Sequence, residues 1–328
     1  MSSFPVITSV ISDKSLGEFV KETYNLNDKF ECKLFRTGIN HTYFISDGED
    51  KYVIRVYSYR WRSKAEIQEE LQLLQLLHQN NISVSFPIAD KTNNLIQEIL
   101  APEGPRFLVL FSFAAGDKVR ILDVNSCFQV GSLMAKIHNY TANKTVDRVH
   151  YTVEELVKNS YGQLTVFFSE SLPEMKYLKV INQVISEAIN SVDQSKLSKG
   201  IVHLDIWYDN FSITSENEIT IFDFDFCGNG WFLLDIAYFC KQLFFIEADK
   251  ETYEQKVNSF LSGYRKEREL SDEEIALIPE AGTAVFAFYL GVQAKRFDWS
   301  NVFLTENYLK MFVGRMKSWT DYCKNKEK

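Results

Sequence analysis

The chain has 328 residues, 45% of them hydrophobic, and a formal net charge of −8. That is enough apolar material for a large core and, at roughly 150 residues per domain, for two domains or lobes. The charge, with no long basic run, argues against a nucleic-acid partner, because neutralising phosphates takes clustered Lys and Arg. Cys32, Cys127, Cys227, Cys240 and Cys323 are odd in number, scattered and never spaced as CxxC, which argues against both a disulfide framework and a zinc site.

From the start, "MSSFPVITSV" offers neither a basic n-region nor a sustained apolar h-region, and the greasiest later stretch, "AVFAFYLGV" from Ala284, is too short to span a bilayer. The expected location is the cytoplasm, with no membrane partner and with monomer or homodimer left open. The acidic balance leans toward an amine-bearing ligand.

Residues 1–111 read as a small lobe of short β-type runs separated by turns: "KLFRT", "TYFIS", "KYVIRVY", "NLIQEIL" and "RFLVLF". One helix interrupts them. Its start is marked by Ser63 followed three residues later by Glu66, a capping box, and Ile67, Leu71 and Leu74 form its apolar stripe. Glu70 falls on that same side, and a core-facing carboxylate is expensive unless paired, so it requires a cation from the neighbouring sheet. Residues 112–116 read as a hinge. Residues 117–328 read as a mainly helical lobe, with amphipathic stretches near 123–139, 152–168, 173–193, 232–247, 251–264, 272–296 and 305–323. A polar, hairpin-like β insert lies at 200–226. The expected fold is α+β, and a cleft between the lobes is the expected ligand site.

The insert holds Asp205, Asn210, Asp223 and Asp225, and the small lobe offers Arg55 and Glu70. A few acidic or amide oxygens without His or Cys suit a hard cation such as Mg²⁺, which takes one or two protein carboxylates plus phosphate oxygens. A buried Arg held by a carboxylate suits the phosphates, and a further carboxylate can accept a proton from an attacking hydroxyl. These are the parts of phosphoryl transfer.

"HLDIWYDN" followed by "IFDFD" resembles the "HGDxHxGN … hhDFD" motif pair of the aminoglycoside phosphotransferase and choline kinase-like family, with matching spacing from Asp205 to Asn210 to Asp223. "FRTGINHTYFIS" is similar to the family's nucleotide loop, and "YVIRVY" to its cation-bearing strand. "EIQEELQLLQLLHQNNISVSFPI" is similar to its small-lobe helix and next strand, "QVGSLMAKIH" to a large-lobe helix, and "FLLDIAYF" to the segment after the metal motif. "LGVQAKRFDW" is more softly reminiscent of the homoserine kinase type II and stress-response kinase A branches.

The resemblance implies a protein-kinase-like bilobal fold and a kinase that moves the γ-phosphoryl group of ATP or GTP to a hydroxyl of a small molecule. It makes Asp205 the catalytic base, Asn210 and Asp223 the Mg²⁺ ligands, and Arg55, held by Glu70, the phosphate-binding cation. Gly38, Asn40 and Thr42 would cover the phosphates, and the base would hang from backbone groups at Leu110, Phe111 and Phe113. A protein Ser/Thr kinase of the stress-response kinase A type and a catalytically silent pseudokinase remain as alternatives. The chain departs from the family pattern at Leu204, where Gly is usual, and at Ile206 to Asp209; Trp207 and Tyr208 there are candidates for the acceptor site. Asp225 reads as substrate contact or support, Trp231 as lining the acceptor site or packing beneath it. His203 reads as a structural brace, His138 as a cap or packing residue, and Asp235 as a partner of loop backbone near the site.

Overall fold

The structure is a computed structural model that describes residues 4–298 and 301–326; Trp299, which closes the "LGVQAKRFDW" stretch, lies outside them. The chain divides into two compact units, Met1–Ala115 and Gly116–Lys328.

In the first unit, β1 (Glu31–Thr37), β2 (His41–Ser46), β3 (Lys51–Val56), β4 (Gln97–Ala101) and β5 (Gly104–Ser112) form an antiparallel sheet in the order β1-β2-β3-β5-β4. Period-2 alternation sends Tyr43, Ile45, Ile54, Val56, Leu108 and Leu110 to one face. A helix covers that face, α1 (Asp13–Tyr24), which the reading of the sequence does not anticipate. Its signals are local: Ser12 caps it, and Leu16, Val20 and Tyr24 recur every fourth residue, all buried in the same cluster. Burying each such aliphatic side chain contributes about 1.5–3 kcal/mol.

Helix α2 (Lys64–Gln79) begins at the expected capping box: Ser63 Oγ accepts from Glu66 N at 3.2 Å and Glu66 Oε2 accepts from Ser63 N at 2.9 Å. The strand expected next, in "ISVSFPI", is reduced to isolated bridge residues at Val84 and Pro87, the latter paired with Phe111. Proline cannot donate to a ladder, which limits pairing there.

In the second unit, α3 (Val124–Thr141), α4 (Ser160–Leu164), α5 (Pro173–Ser191), α6 (Leu233–Ile246), α7 (Lys250–Glu267), α8 (Asp272–Ala276), α9 (Ile278–Lys295) and α10 (Glu306–Lys326) surround two small strand pairs. One pair is β6 (Lys199–Val202) with β9 (Gly228–Trp231), the other β7 (Phe211–Ile213) with β8 (Ile219–Ile221), both antiparallel. The single helix expected over 272–296 breaks at Leu277, because Pro279 sits in the first turn of α9, where its missing N–H is tolerated. The run expected from 152 opens as a wider π-helical turn at Glu154–Asn159 before α4. Helix α3 lies close on α7 at Gly131, where a Cβ would stand 2.0 Å from the Phe260 carbonyl oxygen. No helix among the described residues is long and apolar enough to cross a membrane.

Candidate functional site

In the first unit the polar centre is an ion pair. Arg55 points away from the α1-covered face, since Ile54 and Val56 on either side of it point into that face. Its Nη1 lies 2.6 Å from Oε1 of Glu70, a residue with no solvent exposure. The Tyr57 hydroxyl donates to Glu70 Oε2 at 3.1 Å, so both carboxylate oxygens are engaged. The guanidinium carbon also stands 5.0 Å from the Phe111 ring centre. The sequence reading's demand for a cation opposite Glu70 is met by the strand residue it named.

Thr42 is the Cα partner of Arg55 across β2 and β3. The turn before it is tied down: Gly38 N donates to Asn40 O at 3.1 Å, Ser58 N donates to Asn40 Oδ1 at 3.2 Å, and Ser58 Oγ donates to Ile39 O at 2.5 Å. The backbone of Leu110 and Phe111, from which a nucleotide base is expected to hang, makes sheet bonds of its own. The Leu110 carbonyl accepts from Ile88 N at 2.8 Å, Phe111 pairs with Val53, and Ser112 N donates to Phe86 O at 2.9 Å. Residues 86–88 flank β5 on the side opposite β3, so the backbone of this stretch is already paired. Phe113 stands just beyond it, its ring edge-on to Phe44 with Lys51 Nζ 4.1 Å above.

In the second unit, β6 ends at Val202 and the chain turns sharply through His203, Leu204 and Asp205. Leu204 has φ 68°, the left-handed region that is unfavourable for a residue with a Cβ, yet its side chain has no exposure. Two hydrogen bonds impose this turn: His203 N and Leu204 N donate to Asp235 Oδ2 and Oδ1 at 2.9 and 2.6 Å. Asp235 opens α6 and is wholly buried. It takes a third donor, His138 Nε2, at 3.0 Å, while the Tyr264 hydroxyl lies 2.8 Å from His138 Nδ1. Burial holds the His138 pKa below its usual value, so the neutral ring donates from Nε2 and accepts at Nδ1. His138 is therefore more than a cap or packing residue: it holds the aspartate that holds the loop.

His203 joins the two motif segments. Asp205 N can only donate, so His203 Nδ1 accepts it at 3.1 Å and Nε2–H donates to Phe222 O at 3.1 Å. The register Phe211↔Ile221 in the β7–β8 hairpin sets Asn210 opposite Phe222, whose amide donates to Asn210 O at 2.9 Å, and so beside Asp223. Asn210 Nδ2 donates to both Asp205 O and Asp205 Oδ2, at 2.9 and 2.7 Å. That orients the amide oxygen, a hard donor, away from Asp205. Asp223 also sits in the left-handed region, φ 67°. Two strained non-glycine residues at two motif aspartate segments cost on the order of 1–2 kcal/mol each. Burial, and next the charge of Asp223, push the Asp205 pKa up to about 8.

Among the described residues no group of three or more His, Cys, Asp or Glu forms a metal-holding cluster. Asn210 and Asp223 supply one amide and one carboxylate, a set that fits a hard cation sharing its other positions with phosphate and water. Asp209, which stands where the family usually has glycine, pairs with Lys118 at 2.8 Å. Gly116, φ 96°, lets this segment approach: a Cβ would lie 2.3 Å from Ile213 O.

Trp207 and Tyr208 flank the loop, partly exposed, with ring centres 4.7 Å apart. Asp225 is 2% exposed, and its carbonyl accepts from Arg148 Nη2; of its two readings, enclosure favours support. Trp231 pairs with Lys199, at the end of the β6–β9 ladder away from Val202. The sequence reading missed Tyr238, whose hydroxyl donates to Asp205 Oδ1 at 2.8 Å, although it follows Asp235 by three residues on one helix face. It also missed Tyr289, Arg148 and Asn229, the last bonding Val146, Arg148 and Val149 through its side chain.

Residues 31–270 match the phosphotransferase enzyme family. An uncharacterized protein of Synechocystis is 29% identical over 80% of this chain and 72% of its own length. A homoserine kinase of Rhodopseudomonas palustris is 25% identical over 90% and 88%. An amicoumacin kinase solved with AMP-PNP, Ca²⁺ and Ami superposes with a TM-score of 0.78, covering 95% of this chain and 94% of its own at 22% identity, a likeness of kinase-like fold.

Proposed function

Because the chain belongs to the phosphotransferase enzyme family, whose members compared above include kinases acting on hydroxyl groups, we propose that it moves the γ-phosphoryl group of ATP or GTP to a hydroxyl of a small molecule. The observation that carries this reading is the Asp205 carboxylate, fixed by Asn210 on one oxygen and Tyr238 on the other, at the tip of a loop clamped by Asp235. Asp205 acts as the base. A pKa raised to about 8 makes it a stronger proton acceptor than an ordinary carboxylate, near the range where a general base works best.

Asn210 Oδ1 and the Asp223 carboxylate would hold a magnesium ion, which when bound neutralises charge on the phosphates. Arg55 binds phosphate and Glu70 orients it; Gly38, Asn40 and Thr42 lie over the phosphates, with Asn40 offering Nδ2. The base of the nucleotide meets backbone from Phe113 onward. In this division of labour residues 1–111 bind nucleotide, 112–116 are the hinge and 117–328 carry the base and the acceptor site. The acceptor is an amine-bearing small molecule meeting Trp207 and Tyr208, and the protein works in the cytoplasm.

The test is a thermal shift with ATP or GTP, with and without Mg²⁺, followed by nucleoside-diphosphate release across a panel of hydroxyl compounds. Mg²⁺-dependent binding and acceptor-dependent release that Asp205→Asn abolishes are expected. Binding with no turnover on any acceptor would instead favour a nucleotide-binding scaffold, and no binding at all would defeat both readings.

A further inference from the structure

Two tyrosines given no role by the motifs meet the Asp205 loop, Tyr238 within the "FLLDIAYF" segment and Tyr289 outside it. Tyr238, on α6, is 4% exposed and donates to Asp205 Oδ1 at 2.8 Å, while Asn210 Nδ2 donates to Oδ2 at 2.7 Å. Tyr289, on α9, donates to the Leu204 carbonyl at 3.3 Å, and its ring centre lies 5.5 Å from that of Tyr238. The rings of Phe286 and Phe226 support the pair, at 6.1 Å from Tyr238 and 5.2 Å from Tyr289.

The terminal torsion of an aspartate is broad and two-fold. A carboxylate held at one oxygen still pivots about its Cβ–Cγ bond; donors on both oxygens fix its plane. Each oxygen offers about two lone-pair positions, so the donors from Tyr238, Tyr289 and Asn210 fix the plane and still leave a position for a hydroxyl to be received in a fixed direction. A lysine or arginine would hold the group as firmly but would neutralise it, whereas a phenol and an amide hold it without removing its charge.

We propose that Tyr238 is a positioning residue for phosphoryl transfer, fixing the plane of the Asp205 carboxylate toward the attacking hydroxyl, and that Tyr289 fixes the Leu204 carbonyl beside it. The proposal rests on the reading of Asp205 as the base. The motif that contains Tyr238 assigns it no role, and Tyr289 lies outside the motifs; the geometry supplies the role of both.

The experiment is steady-state ADP release from ATP with Mg²⁺ and no added acceptor, water serving as the attacking hydroxyl, on the full chain and on Tyr238→Phe, Tyr289→Phe and Asp205→Asn. Tyr238→Phe keeps the ring and its packing and removes one donor. The expected result is a kcat about tenfold lower with the KM for ATP unchanged and a melting temperature within a few degrees of the parent. Tyr289→Phe, which removes a hydroxyl shared between the Leu204 carbonyl and the Asp205 carboxyl, is expected to lower kcat about threefold, also at constant KM, and serves if Tyr238→Phe does not fold. Parental kcat in both variants, or a change confined to KM, overturns the proposal. Parental turnover in Asp205→Asn overturns the underlying reading of the base; loss of turnover there with parental rates in both tyrosine variants overturns only the positioning role.

Discussion

The Arg55 and Asp205 centres are built on opposite electrostatic plans. In the first unit Arg55 and Glu70 neutralise each other at 2.6 Å inside the fold. In the second, Asp205 is met by neutral donors, the Asn210 amide and the Tyr238 hydroxyl, and its next strongest influence after burial is the like charge of Asp223. The first centre is complete as folded. The second gathers carboxyl groups that its donors orient and no cation neutralises, which is the condition for binding a cation and accepting a proton. Where a fold leaves charge uncancelled and strains its backbone at the same place, at Leu204 and Asp223, function is the first explanation to test.

Asp205→Asn is the sharpest way to break the comparison. Loss of a general base costs about 10²–10⁴ in turnover, and the same change should stabilise the protein. The carboxyl is raised from 3.8 to about 8 in the folded chain, so folded protein keeps a proton that unfolded protein releases. Its contribution to stability is therefore greatest below pH 4 and falls as pH rises toward 8. Measured with a chelator present, the melting temperature of Asp205→Asn should pass above the parent's by a few degrees as pH rises through that window. A constant difference across pH would remove the claim that burial and Asp223 disfavour the Asp205 charge in the fold.

In the first unit the expectation is reversed, because removing one partner strands the other. Arg55→Ala and Glu70→Ala should each destabilise by about 3–5 kcal/mol, and the double change to Met and Leu by much less than their sum. By calorimetry, Arg55→Ala should weaken ATP binding strongly and Glu70→Ala in part. Equal ATP affinity in all three proteins would reduce the pair to scaffold.

How much of this was legible in the sequence follows from the same contrast. The ion pair was, because helical spacing put Glu70 on an apolar stripe and a strand supplied Arg55. The order Asp205, Asn210, Asp223 was legible from motif spacing. The clamp behind it was only half so: Asp235 stood out as a carboxylate on an apolar face, but His138 lies 97 residues away in the chain and only the tertiary fold joins them. Tyr238 was hidden because a tyrosine among "FLLDIAYF" reads as core, and Tyr289 because no local pattern ties it to residue 204. Helix α1 was missed for a simpler reason: its short apolar stripe lies in a stretch whose remaining residues are polar.

Asp235→Asn tests the clamp with a smaller expected effect. The amide keeps one oxygen acceptor but turns an NH₂ toward one of its three donors, so a net loss of about 1–3 kcal/mol is expected. A urea melt measures it, and turnover should fall together with stability because the same bonds set the Leu204 turn. Loss of stability with parental kcat would show that the turn holds without the clamp.

Leu204→Gly gives the smallest and most informative balance. Glycine enters the left-handed region without cost, relieving about 1–2 kcal/mol. The substitution also deletes a fully buried leucine, which costs about 2–5 kcal/mol when a core leucine is cut to alanine, and glycine adds unfolded-state entropy of about 0.5–1 kcal/mol. The sum favours the parent by roughly 0.5–5 kcal/mol, so packing outweighs strain and leucine is the more stable residue here. If a denaturant melt finds Leu204→Gly more stable than the parent, strain outweighs packing, and the left-handed turn at the base is held at a net cost to the fold.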